Sequence, residues 1–173
     1  EDNIMILAVD IGNSTVVMGL INNSELIASR KTVTDISELE VNYKEEIKTL
    51  LKSHSISESK IEGAIISSVV PLLTDILKEA VSDIFKLEPI TVNSESITGI
   101  EIITDNPSQL GSDRIADATA GINEYGAPLV IIDMGTATTV SVINPQNQFL
   151  GGLILPGVRT SLNSLINNTS QLP

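Results

Sequence analysis

The 173-residue chain has no cysteine, no tryptophan, two tyrosines, two phenylalanines and one histidine, and its 10 basic residues face 22 acidic ones. Each shortage excludes something. Without cysteine there is no disulfide and no thiolate metal site, which fits a reducing compartment and a cytoplasmic location. Aromatic residues are 2% of the chain, so an adenine ring clasped between two aromatic side chains is not expected. A net charge of −12 argues against nucleic acid as a partner, because that binding uses Lys and Arg to displace counterions. The same charge repels a polyphosphate at long range, so such a ligand needs local donors and metal ions. The longest apolar runs are strand-length, so no membrane partner is expected. The acidic opening Glu1-Asp2-Asn3 lacks the basic start of a signal peptide, and Met5 reads as the initiator.

What is present points to a duplication. With 42% hydrophobic residues, the chain can bury a real core as one large domain or two small ones. Ile6-Leu7-Ala8-Val9-Asp10-Ile11-Gly12-Asn13-Ser14-Thr15 recurs, altered, as Leu129-Val130-Ile131-Ile132-Asp133-Met134-Gly135-Thr136-Ala137-Thr138-Thr139. Asp133 and Gly135 both lie 123 positions after Asp10 and Gly12. In each copy an apolar strand delivers an aspartate, a glycine follows two residues on, and hydroxyl or amide side chains lead into a second strand. A carboxylate at a strand end can hold a hydrated Mg²⁺ or another cation. The glycines let backbone N–H groups approach phosphate oxygens. Asn13, Ser14, Thr15, Thr136, Thr138 and Thr139 add neutral donors. A single copy reads as a tight hairpin turn; the pair reads as two related halves with a polyanion between them.

Along the chain, a hairpin at 4–10 and 15–21 and a third strand at 25–32 precede a helix at 37–53, marked by Ile36, Leu39, Tyr43, Ile47 and Leu50. His54 sits at its polar end and reads as solvated. The apolar run 63–70 predicts a strand covered on both faces. Pro71 opens a helix at 71–86, and a short strand follows at 89–92. A long polar connection, 94–112, has weak strand character at 100–103, and loops of this length are often functional. An Ala-rich helix is expected at 113–124, then strands at 128–133, 138–143 and 148–154, and a helix at 157–168. The restart reproduces only the opening of the first half, so the second domain is read as incomplete, with boundaries at 1–126 and 127–173.

The duplicated unit resembles that of the acetate kinase, sugar kinase and actin superfamily. Within it the chain is similar to the type III pantothenate kinases. The matching signatures are Asp10-Ile11-Gly12-Asn13-Ser14, Ser67-Ser68-Val69-Val70-Pro71, Gly111-Ser112-Asp113-Arg114, Asp133-Met134-Gly135-Thr136-Ala137-Thr138-Thr139 and Gly151-Gly152-Leu153-Ile154-Leu155-Pro156-Gly157. They cover the chain from Met5 to Pro173. The fold this implies is α/β, a ribonuclease H-like duplicated domain of actin/hexokinase type. The activity it implies is ATP-dependent phosphorylation of pantothenate, the first step of coenzyme A synthesis, by a homodimer.

The resemblance also implies roles. Asp113 is the general base, and Gly111, Ser112, Asp113 and Arg114 line the pantothenate site. Asp10, Ile11, Gly12, Asn13, Ser14, Thr15, Val16 and Val17 form the nucleotide phosphate loop, with Thr136 as a second ATP contact. Asp133 is the ligand of a monovalent cation, K⁺ or NH₄⁺, and Asp10 the carboxylate for Mg²⁺. Read from its residues alone, Asp113 is equally a helix N-terminal acid complementing the dipole, with Ser112 as the cap. Three positions depart from the family pattern: Ser14 for Thr, Thr15 for Asn, and Thr104 where many relatives have an aromatic beside the substrate. Relatives also continue beyond the match to Pro173. Two other functions share part of the pattern: a different small-molecule kinase of the superfamily, and a non-enzymatic nucleotide-binding accessory or regulatory protein.

Overall fold

A computed structural model describes residues 4–34, 43–96 and 98–169. The chain divides into two compact units, one of Glu1–Asn93 with Gly111–Asp113, the other of Ser94–Leu110 with Arg114–Pro173.

In the first unit, strands β1 (Met5–Ile11), β2 (Thr15–Asn22) and β3 (Glu25–Val33) form an antiparallel meander. Helix α1 (Tyr43–Ser53), strand β4 (Ile61–Ser68), helix α2 (Pro71–Phe85) and strand β5 (Ile90–Thr91) follow. The sheet order is β3-β2-β1-β4-β5, with β4 parallel to β1 and β5 parallel to β4. Alternation explains the core. Leu7, Val9 and Ile11 of β1 and Val16, Met18 and Leu20 of β2 are no more than 2% exposed. Tyr43, Ile47, Leu50 and Leu51 of α1 and Leu73, Leu77, Ala80 and Val81 of α2 join them in one cluster. The spacing of those helical positions puts them on one face of each helix. Pro71 opens α2, and Lys86 ends it in the left-handed region at φ 57°, its N–H returning to the Ser82 carbonyl.

The predicted elements of this half are all found, with two differences. Residues 37–42 of the expected first helix lie outside the described residues; the rest is α1. The 63–70 run was expected to be covered on both faces, yet β4 alternates: Ala64 and Ile66 are buried while Glu62 and Ile65 are exposed. Both helices that fill this core belong to a single cluster on one face of the sheet, so hydrophobicity overstated the cover.

Helix α3 (Ser112–Tyr125), whose first two residues belong to the first unit, continues in the second unit to β7 (Leu129–Met134), β8 (Ala137–Ile143), β9 (Gln148–Pro156) and helix α4 (Val158–Asn168). The weak segment in the polar connection is β6 (Glu101–Ile102), which pairs in parallel with Gln148 and Phe149 of β9. The sheet order is β6-β9-β8-β7, so β7 is an edge strand among the described residues. A small core of Ala118, Ile143 and Phe149, with Ile122, Leu129 and Ile131 against it, joins α3 to one face of this sheet. Gly121 permits that contact, since a Cβ there would lie 2.8 Å from Leu129 Cδ1 and 3.0 Å from Ile131 Cδ1.

Candidate active site

Asp10 is exposed at the end of β1. In the loop after it, Asn13 and Ser14 are exposed, Gly12 and Thr15 partly so. Ile11 and Val16 are fully buried core residues, so any ligand reaches them only through their main chain. The Gly12 N–H closes the turn on the Thr15 carbonyl at 2.9 Å. Thr34, just past β3, fixes the loop from behind. Its hydroxyl donates to the Gly12 carbonyl at 2.7 Å and its N–H to the Ser14 carbonyl at 3.0 Å. The carbonyls of Gly12, Ser14 and Thr15 are all engaged in this way.

The end of β4 brings a distant signature to the same place. In the β1–β4 ladder Asp10 stands opposite Ser67 and Ile11 opposite Ser68. The Ser67 hydroxyl donates to Ser112 Oγ at 3.1 Å, and the Ser68 N–H donates to the same oxygen at 2.7 Å. Ser112 Oγ in turn donates to the Ser68 carbonyl at 2.9 Å. The cap reading of Ser112 therefore fails: its hydroxyl is spent on β4, not on α3. Asp113 follows in the first turn of α3. Gly111 leaves room for its carboxylate, because a Cβ on residue 111 would sit 2.4 Å from Asp113 Oδ1. Asp10, its loop and Asp113 are thus carried on one sheet end within the first unit.

In the second unit the repeated turn is shorter by one residue, the Gly135 N–H reaching the Ala137 carbonyl at 3.0 Å. It too is fixed from the segment after the third strand. The Gly157 N–H and the Thr160 hydroxyl both donate to the Thr136 carbonyl at 3.0 Å. A Cβ on Gly157 would lie 2.3 Å from the Gly135 oxygen, so only glycine fits there. Asp133 and Thr136 are exposed on this turn. Arg114 lies along the sheet: its Nε donates to Ser141 Oγ at 3.1 Å, an Nη to the Val140 carbonyl at 2.9 Å, and its guanidinium is 5.2 Å from the Phe149 ring centre. The hydroxyl of Thr104 is buried without a partner among the described residues.

Thr34, Ser67, Ser68 and Thr160 were not singled out individually from sequence. The signal available was weak: Thr34 and Gly157 are each the first residue beyond a third strand, 123 positions apart. His54 behaves as expected, exposed at a helix end with Nδ1 3.1 Å from the Leu50 carbonyl. Among the described residues no three His, Asp, Glu or Cys side chains cluster as a metal cage. A cavity of about 550 Å³ runs along β7 between Leu129 and Asp133, walled by α3. Its lining includes the carboxylates Asp117, Glu124 and Asp133 and the phenol of Tyr125.

Residues 6–173 match the sequence profile of the type III pantothenate kinases. The chain is 38% identical over 169 residues to the type III pantothenate kinase of Pelobacter propionicus, covering 98% of this chain and 66% of that relative. The chain belongs to the type III pantothenate kinase family. It spans just under two thirds of that relative's length. Among solved structures, it is similar to the activator of 2-hydroxyisocaproyl-CoA dehydratase from Clostridium difficile with bound ADPNP, at 12% identity and a TM-score of 0.57, covering 96% of this chain and 53% of that one. It is also similar to the Aquifex aeolicus member of the Ppx/GppA family, at 17% identity and a TM-score of 0.51, covering 97% and 55%. At such identities the likeness bears on fold alone, and the fold is the α/β actin/hexokinase type. Every signature quoted above lies within the span that this type III pantothenate kinase sequence profile matches. No helix among the described residues is long and apolar enough to cross a membrane.

Proposed function

We propose that the chain carries the nucleotide and pantothenate sites of an enzyme that phosphorylates pantothenate with ATP, giving 4'-phosphopantothenate for coenzyme A synthesis. The observation that carries this reading is the convergence of Asp10, its phosphate-type loop and Asp113 on one end of the β1–β4 ladder, joined through Ser67 and Ser112. Membership of the kinase family supplies the substrate class. A homodimer in the cytoplasm completes the reading.

Residues 10–17 hold the ATP phosphates, with Thr136 as a further contact. Asp10 is the carboxylate for Mg²⁺ and Asp133 the ligand of K⁺ or NH₄⁺. These ions supply charge neutralisation that the chain, with its acidic excess, does not provide from side chains. Gly111, Arg114 and the main chain of Ser112 hold pantothenate. Asp113 accepts the proton of the primary hydroxyl as its oxygen attacks the γ-phosphorus, the bond to the β-phosphate oxygen breaks, and ADP leaves.

The test is phosphoryl transfer from ATP to pantothenate against a panel of hexoses, with and without K⁺, using the full natural protein. Transfer to pantothenate alone is expected; equal activity on hexoses discards the substrate. Asp113→Asn should lower turnover by about 10²–10⁴-fold while ATP binding survives, and undiminished turnover removes Asp113 from the base role.

A further inference from the structure

We infer that Ser112 is a positioning residue whose hydroxyl never touches substrate: with Ser67 it forms a closed hydrogen-bonded lock that substitutes for a missing stretch of strand and sets the Asp113 carboxylate. This deepens, and rests on, the pantothenate kinase reading of the same site.

The argument is one of capacity. A serine hydroxyl has one donor and two acceptor positions. Ser112 Oγ donates to the Ser68 carbonyl and accepts from the Ser68 N–H and the Ser67 hydroxyl, at 2.9, 2.7 and 3.1 Å. All three positions are filled. Ser112 is also 6% exposed and Ser67 8% exposed, so a ligand has neither access nor a vacant lone pair.

The need for the lock follows from the sheet. β5 pairs with β4 only at Ile65 and Ile66, and the last bond of that ladder runs from the Val92 N–H to the Ile66 carbonyl. Beyond it, the Ser68 N–H and carbonyl face a place where, among the described residues, no strand continues. One hydroxyl satisfies both. Removing it strands a backbone donor, a backbone acceptor and the Ser67 hydroxyl, each costly when buried. Because Asp113 is the next residue, and its Oδ1 folds against Gly111, slack at Ser112 transfers directly to the carboxylate.

Two measurements decide it. Amide hydrogen exchange on this chain should show the Ser68 N–H exchanging at least about tenfold faster in Ser112→Ala, with β1 amides unchanged; an unchanged Ser68 rate overturns the lock whatever the enzyme's substrate is. Steady-state kinetics on the full natural protein should show kcat falling about tenfold or more in Ser112→Ala and less in Ser67→Ala, while KM for pantothenate stays within about twofold. Ser112→Thr, which keeps the hydroxyl, should recover part of kcat. A raised KM with kcat retained, and a silent Ser67→Ala, would instead make Ser112 a substrate ligand and overturn the inference. If the unsubstituted protein fails to phosphorylate pantothenate, the functional reading falls while the exchange result still judges the lock.

Discussion

The two halves of the repeat place equivalent apolar residues in opposite environments. In α1, Tyr43, Ile47, Leu50 and Leu51 are 3% exposed or less; in α4, Val158, Leu162, Leu165 and Ile166, each 115 positions later, are 46–66% exposed. The strands repeat the contrast. Leu7, Val9 and Ile11 are at most 2% exposed, whereas Val130, Ile132 and Met134, each 123 positions on, are 59–70% exposed. The first unit closes its core with β4 and α2, and among the described residues the second has no counterpart of either. The lesson is that an amphipathic pattern specifies which face is to be covered, not that a cover is present. Exposed apolar faces of this kind suit docking or aggregation, and the edge of β7, unpaired among the described residues, adds to them.

The strongest way to break the comparison is by matched truncation. Ile47→Ala should cost about 2–5 kcal/mol, and its counterpart Leu162→Ala within about 0.5 kcal/mol. Denaturant melts of both variants measure this, and equal losses would mean α4 is covered after all. Gly152→Ala tests the covered side of the second sheet. Its Cβ would meet the Val140 carbonyl at 1.7 Å and an Arg114 Nη at 2.8 Å, so a loss of about 1–3 kcal/mol or more is expected. Gly63→Ala, whose nearest neighbour is Ile6 Cγ1 at 4.0 Å, should stay within about 0.5 kcal/mol.

A finer contrast lies in the amides. β1 is paired on both sides and β7 on one, so amide exchange should be slow throughout Met5–Ile11 but fast at those β7 groups that face away from β8. Uniform protection of β7 would show that its edge is occupied. The smallest effect belongs to the surface of the closed unit. Lys44 of α1 and Asp83 of α2 form an ion pair at 2.5 Å. The hydrogen bond from Lys44 holds the Asp83 carboxyl below its usual range, and that bond to Asp83 raises the ammonium. A depressed carboxylate gives stability above its unfolded pKa that is lost as pH falls through the folded value. The raised ammonium gives stability below its unfolded pKa that is lost as pH rises through the folded one. Asp83→Asn should therefore slightly flatten the stability–pH curve at both ends, by the small amount an exposed pair contributes, as thermal melts across pH would record.

Much was legible from the residues because the apolar periods were unambiguous. β1, β2, β3 and α2 fall where the alternation and the Pro71 start signal put them, and the D-x-G turns open hairpins in both halves. Harder to see was anything held by contact across sequence. β6 is two residues long and exists because Gln148 and Phe149 lie beside it; no local signal announces such a partner. The cover of β4 was misjudged because hydrophobicity records what a strand tolerates on each face, while Glu62 and Ile65 show that one face is open. The bland alternative for Ser112, a cap from its place before a helix, gives way because the end of β4 has the stronger claim on its hydroxyl.

By itself the sequence determined the duplication, the strand–turn–strand unit around each aspartate and the kinase family, since these rest on local spacing and on residue types that the turns require. Only the tertiary structure decided that residue 113 shares a sheet end with residue 10, which carbonyls Thr34 and Thr160 restrain, and which of two equivalent apolar faces is buried. Those outcomes depend on groups far apart in the chain competing for the same hydrogen bonds and the same cover.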